Sequence, residues 1–169
     1  IIEDCGLNRK TFYYHFEDIY GLLRWMLEQD LLSVILSFDL TTDYEQALTY
    51  AIDYIETHPI AAVLLDMGLG KTVISLTAIA DLLFDSFEAH RILVVAPLRV
   101  ARDTWPAEIA KWEHLQHLTY AVCVGTPKER RMALMSGADI TIINRENLGW
   151  LIDSSGFDFD YDMVIIDEL

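Results

Sequence analysis

Between residues 60 and 169 the chain alternates short, nearly unbroken apolar runs with amphipathic stretches, and this alternation constrains the fold more than any other property. The runs lie at 62–65, 92–96, 120–124, 140–143 and 163–166. Between them come stretches at 73–84, 100–112 and 128–135, with a weaker one near 146–152. A strand that is apolar at successive positions has no face suited to water, so it belongs inside a sheet covered on both sides. Strands separated by helix-length segments pair in parallel through helical crossovers. The expectation for 59–169 is therefore an α/β lobe, a parallel sheet with flanking helices on both faces.

The first 58 residues follow a different rule and predict a small all-α segment. Gly6 and Gly21 are their only glycines, and Pro59 is the first proline of the chain. Leu22, Leu23, Met26, Leu27, Leu31, Val34, Ile35 and Phe38 recur at three- and four-residue steps, the stripe of a long helix. Asp18 is placed to cap it. A second helix is expected after Thr42 or Asp43, with Tyr44, Ala47, Leu48, Ala51, Ile52 and Ile55 on one face. His58-Pro59 ends it, because a residue before proline avoids the helical region.

Composition narrows the class. At 53% apolar residues the chain can bury a core, and wholesale disorder is excluded as an expectation. Twelve basic against 27 acidic residues give a net charge of −15. The first part carries 3 basic and 11 acidic residues, the remainder 9 and 16, so neither has the basic excess of a general nucleic-acid binder. Cys5 and Cys123 lie far apart without metal-ligand spacing, which suits a reducing, cytoplasmic interior. The apolar runs at 31–38 and 60–65 are too short to span a bilayer, so no membrane association is expected. The opening Ile-Ile-Glu-Asp-Cys lacks the basic start of a signal peptide, and both ends read as cuts. His90, His114 and His117 have no carboxylate or cysteine pattern around them, so no metal site is expected there.

The strongest chemical signal is Asp66-Met67-Gly68-Leu69-Gly70-Lys71-Thr72, after an expected strand and before an expected helix. Gly68 and Gly70 let the backbone turn tightly, so that N–H groups from Gly68, Leu69 and Gly70 onward can point at one phosphate chain. The helix that follows adds its partial positive end. Lys71 supplies a cation, and the Thr72 hydroxyl is a magnesium ligand. A glycine-rich turn with an incidental lysine is the alternative, and the strand–loop–helix position favours the phosphate loop. The general pattern would have glycine at position 65, where this chain has Leu65. About 95 residues downstream an apolar run ends in Asp167-Glu168. Asp167 would hold magnesium, usually through water, and Glu168 would orient and deprotonate an attacking water. Such a pair alone is common; coupled to the phosphate loop, it predicts nucleotide hydrolysis with ATP and Mg2+ as cofactors.

These residues carry a resemblance. Asp-Met-Gly-Leu-Gly-Lys-Thr is similar to the first motif of the Snf2-type branch of superfamily 2 helicases, a branch that lacks the first glycine. Val94-Val95-Ala96-Pro97-Leu98, followed by Thr104-Trp105 and Glu108-Ile109-Lys111-Trp112, resembles the next motif, a strand running into a loop that faces DNA. Residues 139–147, with Ile143-Asn144-Arg145-Glu146-Asn147, resemble phage-type members. The likeness covers about 110 residues. It implies a RecA-like, P-loop NTPase lobe whose complete parent couples ATP hydrolysis to DNA translocation. It also implies a second RecA-like lobe after position 169, carrying the arginine that stabilises the transition state.

A second resemblance lies at the start. Asn8-Arg9-Lys10-Thr11-Phe12-Tyr13-Tyr14-His15-Phe16 follows Cys5-Gly6-Leu7, as in the second half of a helix-turn-helix. It is similar to the recognition helix of TetR-family regulators, a likeness that continues to about residue 54. That likeness implies Arg9, Lys10, Thr11, Tyr13, Tyr14 and His15 as a DNA-facing set. The alternative, favoured because the family's supporting helices would precede Ile1, is that Phe12, Tyr13 and Phe16 pack a remnant helix. The two resemblances meet near residues 51–59. The chain therefore reads as an ATPase lobe expected to bind nucleotide without turning it over. A TetR-like DNA-binding regulator and a non-functional chimeric fusion are the alternatives.

Overall fold

The structure, a computed structural model, describes residues 44–63 and 70–167. The chain divides into two compact units, Ile1–Leu64 and Leu65–Leu169. The long helix expected over residues 22–38, its Asp18 cap and the aromatic helix at 8–16 lie outside the described residues.

In the first unit, helix α1 runs from Tyr44 to Thr57. Ala47, Leu48, Ala51, Ile52 and Ile55 are shielded while Gln46, Thr49 and Asp53 are exposed, as the spacing predicts. The helix stops at the residue before His58-Pro59, where the Thr57 hydroxyl donates to the Asp53 carbonyl (2.6 Å). Tyr54 stacks on His58 at 4.0 Å between ring centroids.

In the second unit the elements are α2 (Lys71–Ala80), β1 (Ile92–Ala96), α3 (Trp105–Lys111), β2 (Tyr120–Cys123), α4 (Pro127–Leu134), β3 (Ile140–Asn144), α5 (Leu148–Ser154) and β4 (Met163–Ile166). Wide π-type turns extend α2 through Asp81–Asp85 and lead into α3 at Val100–Thr104. The strands form one sheet in the order β2-β3-β1-β4. All three pairings are parallel, with Ile92 opposite both Ile140 and Met163, and Tyr120 opposite Ile140. The parallel sheet with flanking helices read from the apolar runs is thus the observed architecture. Among the expected strands, 62–65 differs. Ala62 and Val63 join no strand, since a strand exists only through its ladder, and Leu64 and Leu65 lie outside the described residues.

Strand alternation divides the core in two. Ile92, Val94 and Ala96 of β1, with Ile140 and Ile142 of β3, pack on one face against Leu76, Ile79 and Ala80 of α2 and Trp105 and Ile109 of α3. Leu93, Val95 and Ile143 point the other way and meet Leu134 of α4 and Leu151 of α5. Full burial of each Val, Leu or Ile among them stabilises the fold by about 1.5–3 kcal/mol relative to exposure. A capping box fixes the start of α4. The Glu129 N–H donates to the Thr126 hydroxyl, and the Thr126 N–H donates to the Glu129 carboxylate at 2.7 Å. Gly125 just before it has φ +84°, and a Cβ there would meet Glu129 Oε2 at 2.5 Å. No described helix is long and apolar enough to cross a membrane.

Candidate functional site

Helix α2 begins at Lys71, two residues before its apolar periodicity does. The cause is Gly70, which caps the helix in the left-handed region (φ 87°, ψ 17°), open to glycine at no steric cost. The Gly70 carbonyl accepts the first helical bond from the Ile74 N–H at 3.0 Å. The amides of Lys71, Thr72 and Val73 therefore sit in the first turn, where no intrahelical acceptor exists. A segment of 15 residues, Lys71 to Asp85, reaches roughly 22 Å. It packs along one sheet face and ends a few residues before β1 begins. Its start consequently lies toward the edge where β1 ends.

Asp167 reaches that same edge by another route, as the residue following β4. Its N–H donates to the Val95 carbonyl at 2.9 Å, which continues the parallel ladder past the strand end. Its Oδ2 accepts a hydrogen bond from Trp105 Nε1 at 2.8 Å. Trp105 opens α3 and is buried, in the same cluster as Leu76 and Ile79 of α2, against which Val73 packs. The indole thus links the cluster that packs α2 to the residue that follows β4. Nothing in the spacing predicted this bond, because Trp105 and Asp167 are separated by most of the lobe.

The structure describes Gly70, Lys71, Thr72 and Asp167 of the expected site, with Asp167 at the carboxyl end of the sheet and the other three at the start of α2. Gly68, Leu69 and Glu168 lie outside the described residues, as do Arg9, Lys10, Thr11, Tyr13, Tyr14 and His15. The carboxyl edge of a parallel sheet is where open α/β folds take ligands. The donor set also suits magnesium. Thr72 and Asp167 offer one hydroxyl and one carboxylate, and Mg2+ is held by one or two carboxylates while keeping waters and phosphate oxygens.

Two other segments singled out by sequence meet different fates. Where a loop is expected after β1, the chain turns helical from Leu98 and through Val100–Thr104; Leu98 is exposed, and Arg102 pairs with Asp103 on the surface at 2.9 Å. That contact raises the guanidinium's affinity for its proton and lowers the carboxyl's. Glu108 accepts from Trp112 Nε1 (2.8 Å) and pairs with Lys111 (3.2 Å), bracing α3 itself. At the end of β3, buried Asn144 donates to Glu146 Oε2 at 2.6 Å and accepts from Asn147. Asn147 accepts in turn from Arg130, whose guanidinium lies over the Trp150 ring at 4.1 Å. The Asn144 bond holds the Glu146 carboxyl below its ordinary range. This ladder closes the sheet end and leaves Arg145 exposed beside it.

Comparison with known proteins agrees in direction. The family described as the SNF2-related domain matches residues 21–168. The match begins inside the segment that resembles a TetR regulator. Protein p41 of Acyrthosiphon pisum secondary endosymbiont phage 1 is 41% identical over 103 residues, which is 60% of this chain and 22% of that protein. A solved Sulfolobus solfataricus SWI2/SNF2 ATPase core in complex with dsDNA matches with a TM-score of 0.59 and 24% identity. That match covers 74% of this chain and 25% of the other, and the likeness is one of fold. The chain spans about a quarter or less of the length of these relatives.

Proposed function

The chain belongs to the SNF2-related domain family, and from that premise we propose that residues 60–169 are the nucleotide-binding part of a DNA-dependent ATPase. The observation that supports this reading is the left-handed Gly70, whose carbonyl accepts from the Ile74 N–H and so starts a helix at Lys71 directly after the glycine-rich segment. In the proposal, those amides and the Lys71 ammonium bind the phosphates of ATP, and Thr72 and Asp167 hold Mg2+. Bound there, magnesium would neutralise charge developing on the phosphate oxygens. Glu168, the next residue after Asp167, is assigned to orienting and deprotonating the attacking water.

Binding and turnover are separate matters. In comparable enzymes an arginine supplied from outside the nucleotide-binding lobe contributes factors of about 10³–10⁵ in rate. We therefore assign residues 1–169 nucleotide binding and leave turnover and DNA translocation to the complete protein. DNA enters the proposal as that protein's partner.

The test is calorimetry with MgADP or MgATP on the wild-type chain and Lys71→Ala. Loss of a charge-assisted contact costs about 1.5–3 kcal/mol, roughly 10- to 150-fold in affinity. Equal affinity in the two proteins would remove the phosphate-loop assignment.

A further inference from the structure

We infer that Trp105 is a positioning residue for the metal-binding carboxylate, holding one oxygen of Asp167 so that the other is presented to Mg2+. The inference rests on the nucleotide-binding reading above and adds to it a residue whose side chain touches neither nucleotide nor metal.

The indole of Trp105 is almost wholly inside the protein, at 1% exposure. A buried indole N–H needs an acceptor, and most find a carbonyl, a hydroxyl or water. This one finds a carboxylate, at 2.8 Å, on the residue that follows β4, 62 residues further along the chain. Asp167 is thereby fixed at two points. Its backbone N–H is bound to the Val95 carbonyl (2.9 Å), and its Oδ2 is bound to the indole. With the backbone and one oxygen held, the carboxylate has lost rotation about its terminal bond, and the direction of Oδ1 is set. The partner is a neutral donor, so the bond orients the carboxylate without cancelling the charge a cation would need.

The anchor is itself rigid. Trp105 is the first residue of α3 and is followed by Pro106, whose fixed φ suits a first helical turn. One helical turn on, Ile109 is buried in the same cluster as the indole. The contrast with Asp162, at the opposite end of β4, is informative. Its Oδ2 takes two backbone N–H groups, from His90 (2.8 Å) and Arg91 (3.0 Å), and so serves the strand junction. Asp167 spends one oxygen on a side chain from a different element. Partners that orient ligating carboxylates typically change metal affinity by 10–100-fold when removed.

The experiment compares the 169-residue wild type with Trp105→Phe and Asp167→Asn. ADP affinity is measured in EDTA and in saturating Mg2+, and the ratio is the magnesium enhancement. Trp105→Phe is expected to reduce that enhancement by about 10–100-fold while leaving the EDTA affinity unchanged. A variant that merely loosened the fold would lower both. A second readout needs no folded variant of Trp105. In the wild-type protein, the Trp105 indole ¹H–¹⁵N signal should move when Mg2+ is added to the ADP complex and stay still when ADP is added in EDTA. In Asp167→Asn the signal should start elsewhere and ignore Mg2+. A magnesium enhancement that survives in folded Trp105→Phe, or an indole signal indifferent to Mg2+ in a wild type that binds MgADP, overturns the inference alone. A wild type that binds no nucleotide overturns the functional reading and this inference together.

Discussion

Cys123 sits at the end of β2 with its side chain in the smaller of the two cores, and burial pushes its thiol up to about 11. The nearby Arg130 charge opposes that shift without cancelling it. Reactivity belongs to the thiolate, so in the folded protein Cys123 should resist alkylation at pH 8 and react readily in denaturant. Peptide mass spectrometry distinguishes it from Cys5; fast modification of the native protein at Cys123 would contradict its placement. At this scale the sequence was legible where chemistry is local. Gly70, Lys71 and Thr72 are contiguous, and the turn, cation and hydroxyl can be read in a row. The Trp105–Asp167 bond could not be read, because no spacing rule links a helix start to a strand end across the lobe.

Among the elements, the junction of β1 and β4 is held by Asp162. The Asp162 N–H donates to the Arg91 carbonyl, and its carboxylate accepts from the His90 and Arg91 N–H groups. Those two bonds hold the carboxyl below its ordinary value. A carboxyl lowered in the folded state stabilises above its unfolded pKa, about 3.9, and loses that contribution as pH falls through the lower folded value. Asp162→Ala should therefore melt at a lower temperature than wild type at pH 7, with the gap narrowing below about pH 4. A gap that is constant from pH 7 to pH 3 would show that the carboxylate does not act through its charge. Elements were read well where burial alone decides them. The run at 92–96 appears as the fully buried strand expected, whereas 163–166 is a strand at the sheet edge that leaves Val164 and Ile166 exposed. Boundaries moved where backbone geometry overrides side-chain pattern. Gly70 starts α2 two residues before Val73, and the Thr126–Glu129 box starts α4 at Pro127 instead of Lys128.

For the whole molecule, a net charge of −15 and the nucleotide-binding role proposed above frame what the 169-residue chain should do. Phosphate release from ATP is expected to stay near background even with saturating duplex DNA. On the division of labour proposed above, Glu168→Gln should change that rate little. Supplying a second lobe from a close relative in cis should give DNA-stimulated turnover that Glu168→Gln abolishes; robust activity from these residues alone would refute the division of labour. The order β2-β3-β1-β4 has a further consequence, for how the chain reaches this fold. The central strand β1 finds its partners only in β3 and β4, and the Ile92–Met163 pairing closes about 70 residues of intervening chain. On a ribosome adding residues from the N-terminus, β1 must therefore wait with both hydrogen-bonding edges open until β3 is made, and with one open until β4 follows. Until then its five-residue apolar run, Ile-Leu-Val-Val-Ala, is available to a chaperone.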